Sequence, residues 1–318
     1  MKYFILAIGV SIVVQLEAQN KRITFEAPRV YPEGIAINNK TNTTYVSSVR
    51  TGTIGAVDAT GTYKEFYKDN SLKSSFGMKI DEKKNTLWVC IGDPTHSVYQ
   101  SEDTFRKMAR VIVIDLNTGK KIADHDLSKL FAGDHFLNDL TFDAKGNVYI
   151  TDSFSPVIYK IDAAGKSSVW STSDRFKSKF VGLNGIAYHP KGFILVAHNT
   201  DGCIFKIDLN DPSRIETVKI DSFFPGADGL SLDEEQNLIL VQNKGVNRVF
   251  KLTSTDNWTT AKVSGKTSRD ELFQNPTTLA WNKSELYVLN AKLNELSDSS
   301  MRPSDSFSFQ KVIFDARK

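Results

Sequence analysis

Four polar residues recur at one position of a repeated sequence pattern and could together bind a metal ion. They are Glu33 in PEGIA, Asn138 in LNDLTF, Asn184 in LNGIAY and Asp228 in ADGLSL. Their oxygen atoms are hard ligands, which favour calcium, or magnesium, over zinc or copper. Four such ligands leave about two to four of calcium's roughly 6–8 coordination positions open to water or substrate. The set therefore predicts a catalytic calcium site, with magnesium, manganese or zinc as alternative cofactors.

The chemistry expected of such a site is hydrolysis. A bound cation would polarise a lactone carbonyl or a phosphoryl oxygen. Asp228 could then act as general base or as nucleophile, and the sequence leaves both roles open. His198 in LVAH could transfer a proton near neutral pH. The alternative for His198 is a rim residue that hydrogen-bonds to a neighbouring strand.

Further residues fall at the same end of the predicted strands. Asp139 follows Asn138 directly and is expected to orient it. Asn and Asp before Gly are also common turn residues, but a turn explains neither Glu33 nor an Asn138 that precedes Asp. His125 and His189 are expected to be solvated. The other residues expected to line or support the pocket are Ser48, Phe76, His135, Asp152, Asn243, Thr277 and Asn290.

A repeated hairpin must position these residues. Six segments each combine a short alternating strand, a polar turn and a strand rich in β-branched and aromatic residues, which is typical of hairpins. Their equivalent positions are Glu33, Phe76, Asn138, Asn184, Asp228 and Thr277, so the repeat is about 43 to 62 residues long. Four strands per repeat of roughly 40–50 residues predict an all-β, six-bladed β-propeller with four-stranded antiparallel blades. The six positions would then surround one mouth of the central channel.

A propeller ring must close, because open sheet edges favour aggregation. The last repeat lacks a fourth strand, and KRITFEA (21–27) is expected to supply it by pairing with FSFQKVIF near the C-terminus. Two segments are too long for hairpin turns. Residues 94–110 are expected to form either a lid or a disordered loop, and 291–306 a second excursion.

The remaining features concern export and partners. Residues 1–18 resemble a secretory signal, with an uncleaved anchor as the alternative, so 19–318 are expected to be one secreted or periplasmic domain without a membrane span. Forty basic and 37 acidic residues give a net charge of +3, which argues against nucleic acid as a partner. Cys90 and Cys203 are expected to be separate thiols. We expect a monomer.

The motifs PEGIA, LNDLTFD, LNGIAYHP and GADGLSLD resemble the senescence-marker protein/gluconolactonase family, the regucalcin-like six-bladed propellers. The resemblance implies a calcium held by Glu33, Asn138, Asn184 and Asp228, and a lactonase acting on a small lactone or ester. Related phosphotriesterases share the fold. One alternative is a non-catalytic propeller that binds a ligand or partner and uses calcium structurally. The other is a strictosidine-synthase-like enzyme, which needs a deeper catalytic Glu that the sequence does not offer.

Overall fold

The fold is a ring of six β-sheets around a central channel, which confirms the predicted all-β, six-bladed propeller. We describe a computed structural model, which covers residues 22–268 and 273–315. The predicted signal segment, 1–18, lies outside the described residues. No helix in the described ranges is long and apolar enough to cross a membrane.

Each blade is an antiparallel sheet that runs from an inner strand at the channel to an outer strand at the surface. Blade 6 uses the first strand of the chain, β1 (Arg22–Glu26). Blade 1 contains β2 (Ile35–Asn38), β3 (Thr43–Val46), β4 (Ile54–Val57) and β5 (Tyr63–Tyr67). Blade 2 contains β6 (Ser74–Asp81), β7 (Thr86–Gly92), β8 (Ala109–Asp115) and β9 (Lys121–Asp126). Blade 3 contains β10 (Leu137–Phe142), β11 (Val148–Asp152), β12 (Val157–Ile161) and β13 (Ser167–Thr172).

The second half of the ring follows the same order. Blade 4 contains β14 (Leu183–His189), β15 (Phe193–His198), β16 (Cys203–Asp208) and β17 (Ile215–Thr217). Blade 5 contains β19 (Ala227–Leu232), β20 (Leu238–Gln242), β21 (Arg248–Thr253) and β22 (Thr260–Lys266), and β18 (Lys219–Ile220) adds to β22 in parallel. Blade 6 contains β23 (Pro276–Asn282), β24 (Glu285–Asn290) and β25 (Ser306–Lys311), followed by β1 at its outer edge.

Burial along the strands follows from their place in the blade. Strand β15, FILVAH, lies between neighbouring strands and neighbouring blades, and all its residues are buried. Strand β9, KIADHD, lies at the surface and alternates half-buried with exposed residues. A strand covered on both faces needs a continuous apolar run, whereas an outer strand needs only alternate apolar residues. The hydrophobic core therefore lies between blades.

The first and last strands close the ring as predicted. Strand β1 pairs antiparallel with β25, from Arg22 opposite Gln310 to Glu26 opposite Ser306. The Phe25 side chain is 1% exposed, and its ring centroid lies 6.2 Å from that of Phe307 and 6.2 Å from that of Tyr63 in blade 1. Strand pairing thus joins the two ends of the chain within blade 6, and the packing of Phe25 on Tyr63 joins blade 6 to blade 1.

Most inner strands begin with a β-bulge at the residue that the repeat predicts to face the channel mouth. Pairing is irregular between Leu137 and Leu140 and between Leu183 and Ile186. The inner strands of blades 2, 5 and 6 are irregular at the equivalent position. A bulge bends a strand and changes the direction of its side chains. Each bulge frees the predicted site residue and its successor from regular pairing.

Both long excursions are ordered and lie at the channel mouth. Residues 93–108 connect the mouth ends of β7 and β8 and contact both neighbouring blades: Val98 N donates to Arg50 O (2.9 Å) and His135 N donates to Arg106 O (2.7 Å). The disordered alternative for this segment is therefore wrong. The excursion after β24 contains a short helix, α1 (Asn294–Ser297). A single 3₁₀ turn, Asp174–Phe176, is described in blade 3.

Replacing Phe25 with Ala should test the seam. Loss of a buried aromatic side chain costs about 3–5 kcal/mol, so we expect Phe25→Ala to lower the free energy of unfolding, measured in urea, by that amount. Thr24→Ala changes an exposed residue of the same strand and should have little effect. A loss of less than about 1 kcal/mol in Phe25→Ala would show that β1 contributes little to ring stability.

Candidate metal centre at the channel mouth

The six inner strands meet at the mouth through direct backbone contacts. Glycines allow this approach: a Cβ atom added to Gly34 would lie 2.1 Å from Phe76 O, and one added to Gly185 would lie 2.2 Å from Asp228 O. A Cβ atom added to Gly77 would lie 2.4 Å from Asn138 O in blade 3, and one added to Gly229 would lie 2.8 Å from Thr277 O in blade 6. The strands are therefore too close together for a larger residue at these four positions.

Threonine hydroxyl groups join the two pairs of blades that the glycine contacts do not join, blades 3 and 4 and blades 6 and 1. Thr277 Oγ1 and Thr278 Oγ1 in blade 6 both donate to Glu33 O in blade 1, at 2.7 and 2.8 Å. Thr151 Oγ1 in blade 3 donates to Asn184 O in blade 4 (2.7 Å). Thr277 was expected to line the pocket, but its hydroxyl instead joins blade 6 to blade 1. These bonds bring the predicted ligand residues of four blades to one end of the channel.

Each of the four predicted ligand residues carries a buried oxygen without a hydrogen-bond partner. These atoms are Glu33 Oε2, Asn138 Oδ1, Asn184 Oδ1 and Asp228 Oδ1, and none accepts a bond from a described residue. Their side chains are between 2% and 6% exposed. A buried acceptor without a partner costs about 1–3 kcal/mol. Four of them at one channel mouth fit a cation that binds oxygen ligands.

The acidic residues of this centre are in an environment that opposes their ionisation. Burial raises the pKa of Glu33 well above its usual value, and the charges of Asp228 and Asp139 raise it further. Burial raises the pKa of Asp228 to about 8, even though a hydrogen bond from Asn243 lowers it. Burial also raises the pKa of Asp139. A divalent cation would favour the ionised form of all three carboxylates.

Asn243 holds one predicted ligand in place, and Asp139 lies next to another in the chain. Asn243 Nδ2 donates to Asp228 Oδ2 (2.7 Å) and to Pro276 O (3.0 Å), so it fixes one oxygen of Asp228 and leaves the other free. Asp139 Oδ1 accepts a bond from Leu140 N (2.8 Å), while its Oδ2 is buried without a partner. Asp139 therefore adds a third carboxylate to the centre as well as lying beside Asn138.

One ring nitrogen of His198 accepts a hydrogen bond from its own hairpin, and the other has no partner among the described residues. His198 ends β15 opposite Leu183, directly before the predicted ligand Asn184. Its Nδ1 accepts a bond from Asp201 N (3.2 Å), and its Nε2 is buried without a partner among the described residues. An Nδ1 that accepts a bond places the proton of the neutral ring on Nε2. His198 therefore offers a buried, unpaired N–H at this end of blade 4.

Three residues expected to line the pocket use their polar atoms within the protein. Ser48 Oγ donates to Val30 O (2.9 Å). Asn290 Oδ1 accepts from Gln274 N (2.9 Å), and its Nδ2 donates to Ser308 (3.2 Å). Asp152 lies at the mouth opposite Leu137 but is fully buried. We therefore assign these residues structural roles in turns rather than substrate contacts.

His135 belongs to the same buried structure. Its Nδ1 lies 2.8 Å from Asp152 Oδ2, and its Nε2 lies 3.2 Å from Ser128 O. Burial lowers the pKa of His135, but the hydrogen bond and charge of Asp152 outweigh this and raise it. Asp152 also accepts bonds from the backbone N–H groups of Phe136, Phe154 and Ser155. The pair stabilises the turns of blade 3.

The remaining predicted residues are hydrophobic or distant. Phe76 is buried, and its ring centroid lies 4.6 Å from that of Phe136, so it forms an aromatic part of the mouth in blade 2. Cys90 and Cys203 are free thiols, as predicted. The expectation that His189 is solvated is wrong: it is 2% exposed and stacks on Phe193 with a 4.3 Å centroid separation.

A polar cavity adjoins the candidate centre and was not predicted. It has a volume of about 390 Å³ and lies between blades 5 and 6, under α1. Asn243, which holds Asp228, is part of its wall. Gln274, Asn275 and Asn294 contribute further carboxamides. In the sequence, only the long segment 291–306 pointed to this cavity. Most of the cavity wall comes from loops, which the repeated hairpin pattern does not describe.

The candidate centre depends on carboxamides as much as on carboxylates. Within 22–268 and 273–315, no group of three or more His, Cys, Asp or Glu side chains is arranged to hold a metal ion. Glu33 and Asp228 need the Asn138 and Asn184 oxygens to complete a set of four. Such a mixed set is compatible with calcium, which accepts amide oxygens, and a poor fit to zinc.

Comparison with known proteins supports the fold. No family model and no curated protein matches the chain. The Malassezia sympodialis allergen Mala s 1 is 17% identical with a TM-score of 0.72, covering 93% of this chain and 96% of that one. Virginiamycin B lyase from Staphylococcus aureus is 13% identical with a TM-score of 0.62, covering 92% and 99%. A protein provisionally described as a gluconolactonase is 15% identical with a TM-score of 0.61, covering 91% and 92%. At these identities the likeness shows a shared propeller fold.

Replacing Asn243 with Ala should weaken metal binding without removing a proposed ligand. Asp228 would lose the bond that fixes its Oδ2, and loss of such an orienting partner typically costs 10–100-fold in affinity. We expect a loss of this size for calcium, measured by titration calorimetry. Asn247→Ala changes another carboxamide of the same cavity wall and should bind calcium normally. Equal affinities of the two variants would contradict the orienting role.

The metal-free protein should become less stable relative to Asp228→Asn as the pH rises. The pKa of Asp228 is about 8 in the folded chain and about 4 when unfolded. Stability from its protonated form is thus complete below about pH 4 and is lost as the pH rises through about 8. In chelator, we expect the wild-type melting temperature to fall relative to the variant between about pH 4 and 8 and to change little above about pH 8. Asp221→Asn, at an exposed site, should follow the wild type, and parallel curves for all three proteins would refute the expectation.

Proposed function

We propose that this chain is a metal-dependent hydrolase, and specifically a calcium-dependent lactonase, whose active site is the channel mouth. One observation carries the proposal: four buried oxygens on Glu33, Asn138, Asn184 and Asp228 lack hydrogen-bond partners among the described residues, and the inner strands of their four blades end at one channel mouth. A structural ion is normally enclosed by protein ligands. Four protein oxygens leave room for water and substrate on a calcium ion.

The residues around the four ligands support hydrolytic chemistry. Calcium, when bound, would polarise the carbonyl of a lactone or ester. Asp228 is held at one oxygen by Asn243, and its other oxygen is free to accept a proton from water or to attack. His198 offers a buried Nε2–H at the same end of the channel. A single turnover in heavy-oxygen water tests the two roles of Asp228. If Asp228 acts as base, the heavy oxygen enters the product. If Asp228 attacks the carbonyl, the ester C–O bond breaks and an anhydride forms, and water that then adds to the Asp228 carbonyl leaves the heavy oxygen on Asp228.

The neighbouring structures are compatible with this proposal. They include a provisional gluconolactonase and a lyase that acts on virginiamycin B, so enzymes with this fold are common among them. The adjacent polar cavity of about 390 Å³ suits a small, hydrophilic lactone or ester. We further propose export as a monomer to the cell exterior or periplasm after removal of residues 1–18, which N-terminal mass spectrometry of the exported protein tests.

The central experiment is a metal-dependent activity screen. Residues 19–318 are purified, treated with chelator and assayed on lactones, aryl esters and phosphotriesters with and without calcium. We expect hydrolysis that falls at least about 100-fold without metal and is lost in Asp228→Asn. Asp221→Asn should remain active. Calcium at about 100 times its dissociation constant should also stabilise the fold by roughly 2.7 kcal/mol.

A non-catalytic binding propeller is the second candidate. The use of Ser48, Asp152 and Asn290 in internal bonds favours it, because these residues then offer no groups to a substrate. This function predicts a tightly bound calcium, a calcium-dependent rise in melting temperature and no turnover on any substrate class. The same screen therefore separates the two candidates.

A further inference from the structure

One layer of the central channel contains a single long side chain. Each inner strand contributes the residue three positions after its mouth residue, and all six line a cavity of about 280 Å³ that continues the channel away from the mouth. Five of the six are small. The six residues are Ala36, Lys79, Thr141, Ala187, Ser231 and Ala280.

Lys79 lies directly behind the candidate metal centre. Its positive charge lowers the pKa of Glu33 and of Asp139, against the larger effect of burial. Glu82, an acidic residue that lines the same cavity, is exposed and accepts a hydrogen bond from Asn39 (3.1 Å). The positive charge of Lys79 thus acts on two carboxylates of the mouth, Glu33 and Asp139.

The charges of this region sum to zero with one divalent ion. Glu33, Asp139 and Asp228 contribute three negative charges, and Lys79 contributes one positive charge. A buried group of charges is stable only when it is compensated. A divalent cation completes the compensation, whereas a trivalent cation would leave one excess positive charge.

We propose that Lys79 determines the charge selectivity of the metal centre by matching its three carboxylates to a single divalent cation. The inference rests on the proposed function, because it assumes that the four-oxygen centre binds metal. It adds a specificity-determining residue that touches neither metal nor substrate and acts through its charge from within the channel.

Terbium and calcium provide a direct test, because both bind oxygen ligands but differ by one charge. Both ions displace the same protons from the carboxylates when they bind, and this lowers both affinities alike. The ratio of the terbium affinity to the calcium affinity therefore reports the effect of ion charge. Removing one positive charge at short range in a partly buried site should raise the terbium-to-calcium ratio about tenfold. Both affinities are measured by titration calorimetry, with terbium luminescence as a second readout.

Four variants make the test specific. Lys79→Met removes the charge and keeps the length of the side chain, and Lys79→Arg keeps the charge. Lys83→Met makes the same charge change at an exposed position of the same hairpin. The double variant Lys79→Met with Asp139→Asn restores the charge balance. We expect a raised ratio in Lys79→Met alone, and the wild-type ratio in the other three proteins.

Each outcome decides the proposal. If Lys79→Met binds calcium with an unchanged ratio, or Lys83→Met raises the ratio equally, the proposal is wrong. If the wild-type protein binds neither ion, the metal centre itself fails, and the metal-free proteins are compared by urea unfolding at pH 8. There, Lys79→Met must be less stable than Lys83→Met and be rescued by Asp139→Asn. Equal stabilities would overturn the role of Lys79 as the counter-charge.

Discussion

The close approach of six inner strands is the constraint on which the rest of this structure depends. Glycines such as Gly34 and Gly185 let the backbones of adjacent blades touch, and Thr277 and Thr278 bind Glu33 O where blade 6 meets blade 1. This closure buries the polar side chains of the predicted ligands at the channel mouth. It also leaves one buried oxygen on each of four blades without a hydrogen-bond partner among the described residues. The rigid ring thus accounts for both the position and the chemistry of the candidate centre.

Much of the architecture could be predicted because the hairpin repeats in the sequence. Alternating strands and polar turns identify each blade, and the missing strand of the last repeat identifies β1 as its partner. The strand register also follows: Leu183 lies opposite His198 and Pro276 opposite Asn290, so each second strand ends at the mouth. Periodic patterns determine which residues share an end of a sheet, since every blade obeys the same geometry.

Side-chain direction could not be predicted in the same way. Asn290 reaches the mouth, but the backbone of Gln274 binds its oxygen. His189 directly precedes the turn of its hairpin, yet Phe193 on the other side of that turn stacks on it. Each bulge places one extra residue on the inner strand, as where Leu137 to Leu140 lie opposite Asp152 to Ile150, and the repeated hydrophobic pattern does not reveal this extra residue. The repeats align Lys79 with five small residues, but only the structure shows that its charge acts on Glu33 and Asp139.

The seam between the two ends of the chain has a consequence for how the protein is made. Strand β1 emerges from the ribosome long before β25, its hydrogen-bonding partner, has been translated. Until then blade 6 is incomplete and Phe25 has no aromatic neighbours from that blade. Ring closure is therefore a late event that couples the earliest and latest residues of synthesis. A chaperone that binds β1 during synthesis would protect a strand that cannot pair until β25 has been translated.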